Sequence, residues 1–497
     1  MRWSLFGLLG LVACSDGGGV ALHLRVPADP ALDPFAQSVA ELTLSASADD
    51  RIIYVATRSG PVPGQTLDFG RVPIADGVGF ELMVKAPTGR VIGFGRSAAL
   101  VDVGPDDAVD VELEMRRPFS YVSGAGALLA IDGTREPGRD YASTIAVSAP
   151  VTAAVVAPTG DMIIAAVGNG LERVSTSTHV VDGERIELGA PIDDLTVSAD
   201  GRWVIASHRV EPTGISIVAL DGSREPVFVP TSSASSIAIH GDTVWVLQDR
   251  LASIFCVGES TILTLSLADP LASGSTIVLG TAATDLAVDP ATGAVMVALA
   301  CLNRVVMIAD PQAPPVALLD VPGASAVAVA RGRVWVMGHR DGEGAHLILA
   351  SVAVDGGAVD ILEMPTLEER AEAVALSQTG QGGLIQMTAD LAAAGEIAVL
   401  PDGEHVAILV TAVYGTLPAG DAGGGQPIVP KLTMITYEYQ LVQLDTGLAA
   451  QRLRVYCSIE WDPGALLDDF ACAQAPGQDE AAISFIPTDL TVLYGSR

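Results

Sequence analysis

A phrase repeated along the chain constrains its fold more than any other feature. Asp193 to Gly222 reads DDLTVSADGRWVIASHRVEPTGISIVALDG. That is an alternating strand, an Asp-Gly turn, a second strand ending in His-Arg, and a third strand closing on Asp-Gly. Aligned on the residue before the first apolar strand, the phrase starts at Ala154, Asp194, Ser236, Asp285, Ala326, Glu396 and Ala482. The first five starts lie roughly 40 to 50 residues apart, the length of one four-stranded blade. The last two intervals are longer and carry insertions. A blade cannot bury both of its faces alone, so such units close into a ring. The last unit supplies two strands, and FSYVSGAGALLAIDG (119–133) is a strand pair with no partner of its own. Joining the two pairs completes a seventh blade, which predicts a seven-bladed β-propeller over 116–497.

Upstream, seven short alternating segments run from Val20 to Met115: VALHLRV, AELTLSAS, RIIYVATRS, TLDFGRV, GFELMVKA, GRVIGFGRS and AVDVELEM. This predicts an immunoglobulin-like or prealbumin-like β-sandwich over 20–115. The segment carries no Cys or Trp pin, so an antibody-type domain is not implied. The fold class is all-β throughout: a sandwich, then a propeller closed by strands from both of its ends.

The propeller units, with turns such as Pro401-Asp402-Gly403 between the two inner strands, resemble the YVTN-type propellers of bacterial surface proteins. WD-like and lactonase-like propellers share these motifs. The first residues, MRWSLFGLLGLVACSDGGG, pair Arg2 with an apolar stretch and end in Leu11-Val12-Ala13-Cys14. They resemble a bacterial lipoprotein signal. The resemblance implies cleavage of residues 1–13, lipidation of Cys14, a Gly-rich tether over 14–19 and, from Ser15, sorting to the outer membrane. An ordinary signal peptide with an incidental Cys is the alternative.

Charge narrows the partners. The formal charge is −32, from 59 acidic and 27 basic residues. Such a field repels phosphate backbones, so nucleic acid is not an expected partner. Four cysteines besides Cys14 form an even set in an exported chain: Cys256, Cys301, Cys457 and Cys472. Two disulfides, Cys256–Cys301 and Cys457–Cys472, are the expected reading, and four buried thiols the other. No CxxC, HExxH, GxSxG, P-loop or EF-hand loop occurs. The insertions contain a helix candidate, Leu367 to Leu376, a loop tip over 419–426, and the loop between Cys457 and Cys472.

Repeat registration brings out two residue sets. Asp194, Asp285 and Glu396 precede inner strands, an end that faces the channel mouth in propellers. They either hold a cation such as Ca²⁺ or accept backbone N–H groups of the loops between blades. The turn after the second strand carries His208-Arg209, Asp249-Arg250, Asn303-Arg304 and His339-Arg340. Arg209, Arg250, Arg304 and Arg340, with His208 and His339, either receive an anionic ligand or pair with a neighbouring blade's Asp. Trp203, Trp245 and Trp335 recur in the second strand, which points to packing between blades.

Three function classes follow. The leading one is a monomeric, non-catalytic envelope lipoprotein whose propeller binds a protein or an envelope polymer. The second is a metal-dependent, lactonase-like hydrolase with its site at the channel mouth. The third is a structural or adhesion protein using the sandwich.

Overall fold

The computed structural model describes residues 17–48, 51–60, 67–97, 99–105, 108–124, 127–135, 142–248, 258–272, 274–340, 346–364, 389–418, 431–447, 449–461, 470–474 and 487–492. The chain forms two compact units, Met1–Met115 and Arg116–Arg497.

The first unit contains β1 (Gly17–Arg25), β2 (Glu41–Ala48), β3 (Arg51–Ser59), β4 (Leu67–Pro73), β5 (Ala75–Lys85), β6 (Val91–Ser97), β7 (Val101–Val103) and β8 (Ala108–Arg116). All seven expected strands are present, and β7 is a short addition. They form one sheet in the order β3-β2-β5-β6-β8-β1-β4, with β7 on β5. The two end strands meet: the Tyr54 hydroxyl on β3 donates to the Phe69 carbonyl on β4, and Arg58 lies over the Phe69 ring. Where the sequence predicts a two-sheet sandwich, this unit is a single sheet curled until it nearly closes. Its inner face follows the alternation of the sequence: Leu42, Leu44 and Ala46 from β2 pack with Phe80, Leu82 and Val84 from β5. Gly17 to Gly19, expected in a tether, instead begin β1 and pair with Arg71 to Pro73 on β4. Cys14 lies outside the described residues.

The second unit is the predicted ring of seven sheets. Numbered along the chain, blade 7 opens the unit with β9 (Phe119–Gly124), β10 (Ala127–Asp132) and β11 (Ala142–Ile145). Blade 1 is β12 (Val151–Val156), β13 (Met162–Val167), β14 (Gly170–Ser175) and β15 (Ile186–Glu187). Blade 2 is β16 (Asp194–Val197), β17 (Trp203–His208), β18 (Gly214–Ala219) and β19 (Val227–Pro230). Blade 3 is β20 (Ala234–His240), β21 (Thr243–Gln248), β22 (Thr261–Ser266) and β23 (Ser275–Val278). Blade 4 is β24 (Asp285–Val288), β25 (Val295–Leu299), β26 (Arg304–Ile308) and β27 (Val316–Asp320). Blade 5 is β28 (Ala326–Ala330), β29 (Arg333–Arg340), β30 (His346–Ala353) and β31 (Asp360–Glu363). Blade 6 has five strands: β32 (Ala389–Val399), β33 (His405–Pro418), β34 (Lys431–Gln443), β35 (Ala449–Trp461) and β36 (Phe470–Gln474). The C-terminal strand β37 (Pro487–Val492) pairs with β9 as the innermost strand of blade 7.

Both termini of the unit thus close the last blade, but with three strands from one end and one from the other. The sequence had suggested two from each, because the spacing of Ala142 to Ile145 hid its pairing with β10.

The turns explain why these strands end where they do. Between β16 and β17, Gly201 takes φ of +70°, a left-handed conformation open to glycine, and its N–H donates to Ser198 at 2.8 Å. Asp200 accepts the Arg202 N–H at 3.0 Å in the same turn. Second strands are buried on both faces, because each blade packs between two others. Ile205 faces blade 3 in a cluster with Ile237 and Val246, whereas Val204 and Ala206 face blade 1 with Ala153 and Ile164. Trp203, Trp245 and Trp335 all sit in such clusters between consecutive blades. No helix among the described residues is long and apolar enough to cross a membrane.

Candidate functional site

The upper rim of the ring is where the inner strands begin and the second strands end, and both residue sets singled out in the sequence lie there. Counting back from the inner hairpins fixes their register. Val197 pairs with Val204, Val288 with Val295, Val329 with Val334 and Val399 with Val406. Three residues earlier stand Asp194, Asp285, Ala326 and Glu396, as expected, and Ser236 holds the place in blade 3. Two blades differ. Blade 1 presents Ala153, one residue before the expected Ala154, since Val156 pairs with Ile163. Blade 7 presents Asp489, opposite Ser123 as Asp194 is opposite Ser207. Ala482, the expected start there, lies outside the described residues. A signal for Asp489 was legible: Asp489-Leu490-Thr491-Val492 repeats Asp194-Leu195-Thr196-Val197.

Asp194 and Asp285 of the first set are bound up with the scaffold. Asp285 accepts the N–H of Leu286 at 2.8 Å with one oxygen and that of Val327, in blade 5, at 2.9 Å with the other. The Ser236 hydroxyl from blade 3 adds a third bond at 3.1 Å. Asp194 repeats the pattern, with the N–H of Leu195 at 2.8 Å and that of Ile237, in blade 3, at 3.1 Å. Through backbone N–H groups each carboxylate therefore joins its own inner strand to that of the next blade. Such charge-assisted bonds hold an ionised carboxylate without a metal. Among the described residues, no group of three His, Cys, Asp or Glu side chains is arranged to hold a metal ion.

The arginine set divides. Arg304 pairs with Asp320 at 2.6 Å and Arg340 with Glu363 at 3.2 Å. Both partners belong to the outer strand of the same blade, not to the neighbouring blade that the sequence suggested. Arg209 donates its backbone N–H to Asp193 at 2.6 Å, while its half-buried guanidinium has no ion pair among the described residues. Arg250 lies outside them.

The two histidines are packing residues in this geometry. His208 is fully buried, with Nδ1 at 2.7 Å from the Pro191 carbonyl and Nε2 at 2.7 Å from the Ser216 hydroxyl. Nδ1–H must donate to the carbonyl, so Nε2 of the neutral ring accepts from Ser216. Burial lowers the His208 pKa, outweighing the Pro191 carbonyl and the Asp193 charge, which both raise it. His339 stacks over Gly323, where a Cβ would come within 2.4 Å of its Nδ1. The small residue there lets the ring lie against the loop between blades 4 and 5.

Blade 6 changes the shape of the rim. Its strands β33, β34 and β35 are 14, 13 and 13 residues long, against 6 residues each for β17 and β18 in blade 2. Glu396 pairs with Leu409, so the part of β33 from Val410 to Pro418 continues above the level of the other inner strands. At about 3.3 Å per residue this wall rises some 25 Å. Cys457 on β35 stands directly opposite Cys472 on β36 within it. Cys301 is disulfide-bonded, and Cys256 lies outside the described residues. So do the helix candidate at 367–376 and the loop tip at 419–426.

No protein-family model matches the chain, and no curated protein does. Among solved structures, a chain of the nidogen/laminin complex is 11% identical, matches 50% of this chain and 92% of its own, and gives a TM-score of 0.34. The WD40 repeats of RRP9 are 13% identical over 56% of this chain and 81% of theirs, at a TM-score of 0.40. Regucalcin from Agrobacterium tumefaciens, described as a calcium-binding protein, is 13% identical over 55% of this chain and 83% of its own, at a TM-score of 0.32.

Proposed function

We propose that this protein is a non-catalytic binding scaffold of the bacterial cell envelope, holding its partner on the upper rim beside the blade 6 wall. The observation that carries this reading is the engagement of Asp194 and Asp285 by backbone N–H groups of two blades each. A hydrolase at the channel mouth would need those carboxylates for a cation, and freeing them would break the joints between inner strands. Rigid rings with one tall insertion present binding surfaces on the inserted element. Export and anchoring through a lipidated Cys14 complete the proposal, with an envelope protein or polymer as the partner and a membrane as the place of attachment.

Calorimetry with Ca²⁺ on the full chain tests it, beside an Asp194→Ala, Asp285→Ala double variant and a panel of lactones and phosphoesters. The expected outcome is no saturable heat and no hydrolysis. Binding of about one equivalent that disappears in the double variant, with turnover of any ester, would replace the scaffold by the enzyme. Anchoring has its own test. Incorporation of labelled fatty acid should be lost in Cys14→Ser.

A further inference from the structure

Strand directions place one end of the first unit next to the residue proposed to carry lipid. β1 begins at Gly17, opposite Pro73 at the end of β4, and a single residue, Ile74, leads from there into β5. β2 runs antiparallel to β5 and β3 antiparallel to β2, so β2 ends and β3 begins at this same end. β8, parallel to β1, also starts here and leaves the unit at the opposite end. Only Ser15 and Asp16 separate Cys14 from Gly17. Three Cα-to-Cα steps span at most about 11 Å.

Exposed apolar side chains of the unit gather toward that end. Ile52, at the start of β3, is 69% exposed, and Leu100, just before β7, is 62% exposed. They flank one rung of the sheet. Ser47 stands opposite both Ile52 and Gly79, and a Cβ at Gly79 would meet the Leu100 side chain at 3.3 Å. Ile74 adds a third exposed side chain, and Val55 continues the patch along β3. Scattered apolar residues need no explanation, but a group beside an anchor point does. Among the described residues of the unit, Val26 is the one exposed large apolar residue at the opposite end. Charge does not draw this end to anionic headgroups. Arg51 and Arg71 are exposed toward it, but so are Asp76 and Asp102, and the connections there add Asp49, Asp50, Asp106 and Asp107.

We propose that this end of the first unit rests on the membrane, with Ile52, Leu100 and Ile74 entering the interface of a zwitterionic lipid surface. The inference rests on the anchoring of Cys14: the lipid fixes the distance, and the exposed apolar side chains make the contact. Once residues 1–13 are cleaved, the first unit has no tryptophan, so a Trp placed there reports its own surroundings as a difference from wild type. Mature lipidated protein carrying Ile52→Trp, Leu100→Trp or Val26→Trp is reconstituted in phosphatidylcholine vesicles, with and without brominated acyl chains. The emission added by Ile52→Trp and by Leu100→Trp should be quenched in the brominated vesicles, while that added by Val26→Trp survives. Should Leu100→Trp fail to fold, Ile52→Trp decides. Survival of the added emission at the first two positions, in protein that takes up labelled fatty acid and floats with the vesicles, would overturn the contact and leave the anchor standing. Equal quenching of all three variants would also overturn it, since no particular end would then face the lipid. Protein that takes up no fatty acid would overturn anchor and contact together.

Discussion

Asp285 accepts the backbone N–H of Val327 at 2.9 Å, and so joins the inner strand of one blade to that of the next through a side chain. Sheet hydrogen bonds stop at the inner edge of each blade, so this bond supplies a directional link where only packing would otherwise operate. Because Asp285 is 7% exposed, its loss leaves the N–H groups of Leu286 and Val327 without it in a place water scarcely reaches.

Asp285→Ala should therefore lower stability by about 1–3 kcal/mol, the cost of leaving buried donors unsatisfied. Asp194, which is less buried, should cost less on the same substitution. Urea midpoints of the two variants, compared at equal m-value, check the order.

Arg117 and Asp132 form a buried ion pair at 3.0 Å, each side chain 5% exposed, where the chain enters blade 7. Removing Arg117 leaves the buried Asp132 with Arg135 at 3.2 Å and the bonds from Thr134. Arg117→Ala should therefore cost about 1–3 kcal/mol, the loss of charge-assisted bonds rather than of the whole countercharge. By contrast, Arg304→Ala removes an exposed pair with Asp320 and should change stability by less than about 1 kcal/mol. Chemical denaturation of the two variants side by side reads the difference.

His208 makes stability fall on the acid side. Its pKa is lowered in the folded protein by burial, so between the ordinary histidine range and the lower folded value the unfolded chain binds the proton and the native state does not. Stability is thus fully present above about pH 6.5 and is lost as pH falls below it. His208→Gln should be less stable at neutral pH but show a shallower decline between pH 7 and pH 5. Thermal midpoints across that range test the slope.

Trp245 is 2% exposed and lies between blades 3 and 4, against Leu286 and Val297 among others. Trp245→Ala should open a cavity at that joint and cost about 3–5 kcal/mol. Trp245→Phe should recover much of the loss, since the contact is apolar. Melting temperature, with exchange of the β24 amides as a local readout, distinguishes the two.

The blade period, the strand alternation, the Asp-Gly turns and three of the four inner-strand carboxylates, Asp194, Asp285 and Glu396, could be read directly. Each of these is a local pattern: side chains alternate every two residues and turns demand particular backbone angles. Register across the insertions could not be read that way. The long strands of blade 6 stretch the spacing, and alignment on the apolar run that follows Ala482 pointed there, where the pairing with Ser123 selects Asp489. The partners of the rim residues were also beyond reach, for a related reason. Ile237 and Val327 are each some 40 residues from the carboxylates they meet, and Asp320 and Glu363 reach Arg304 and Arg340 only because an outer strand folds back beside the third. The sequence by itself determined that there would be blades, how many, and where carboxylates would gather. Only the tertiary structure decided that two of those carboxylates join blades, because hydrogen bonding is set by distance in space and the donors belong to neighbours that the chain reaches a full repeat later.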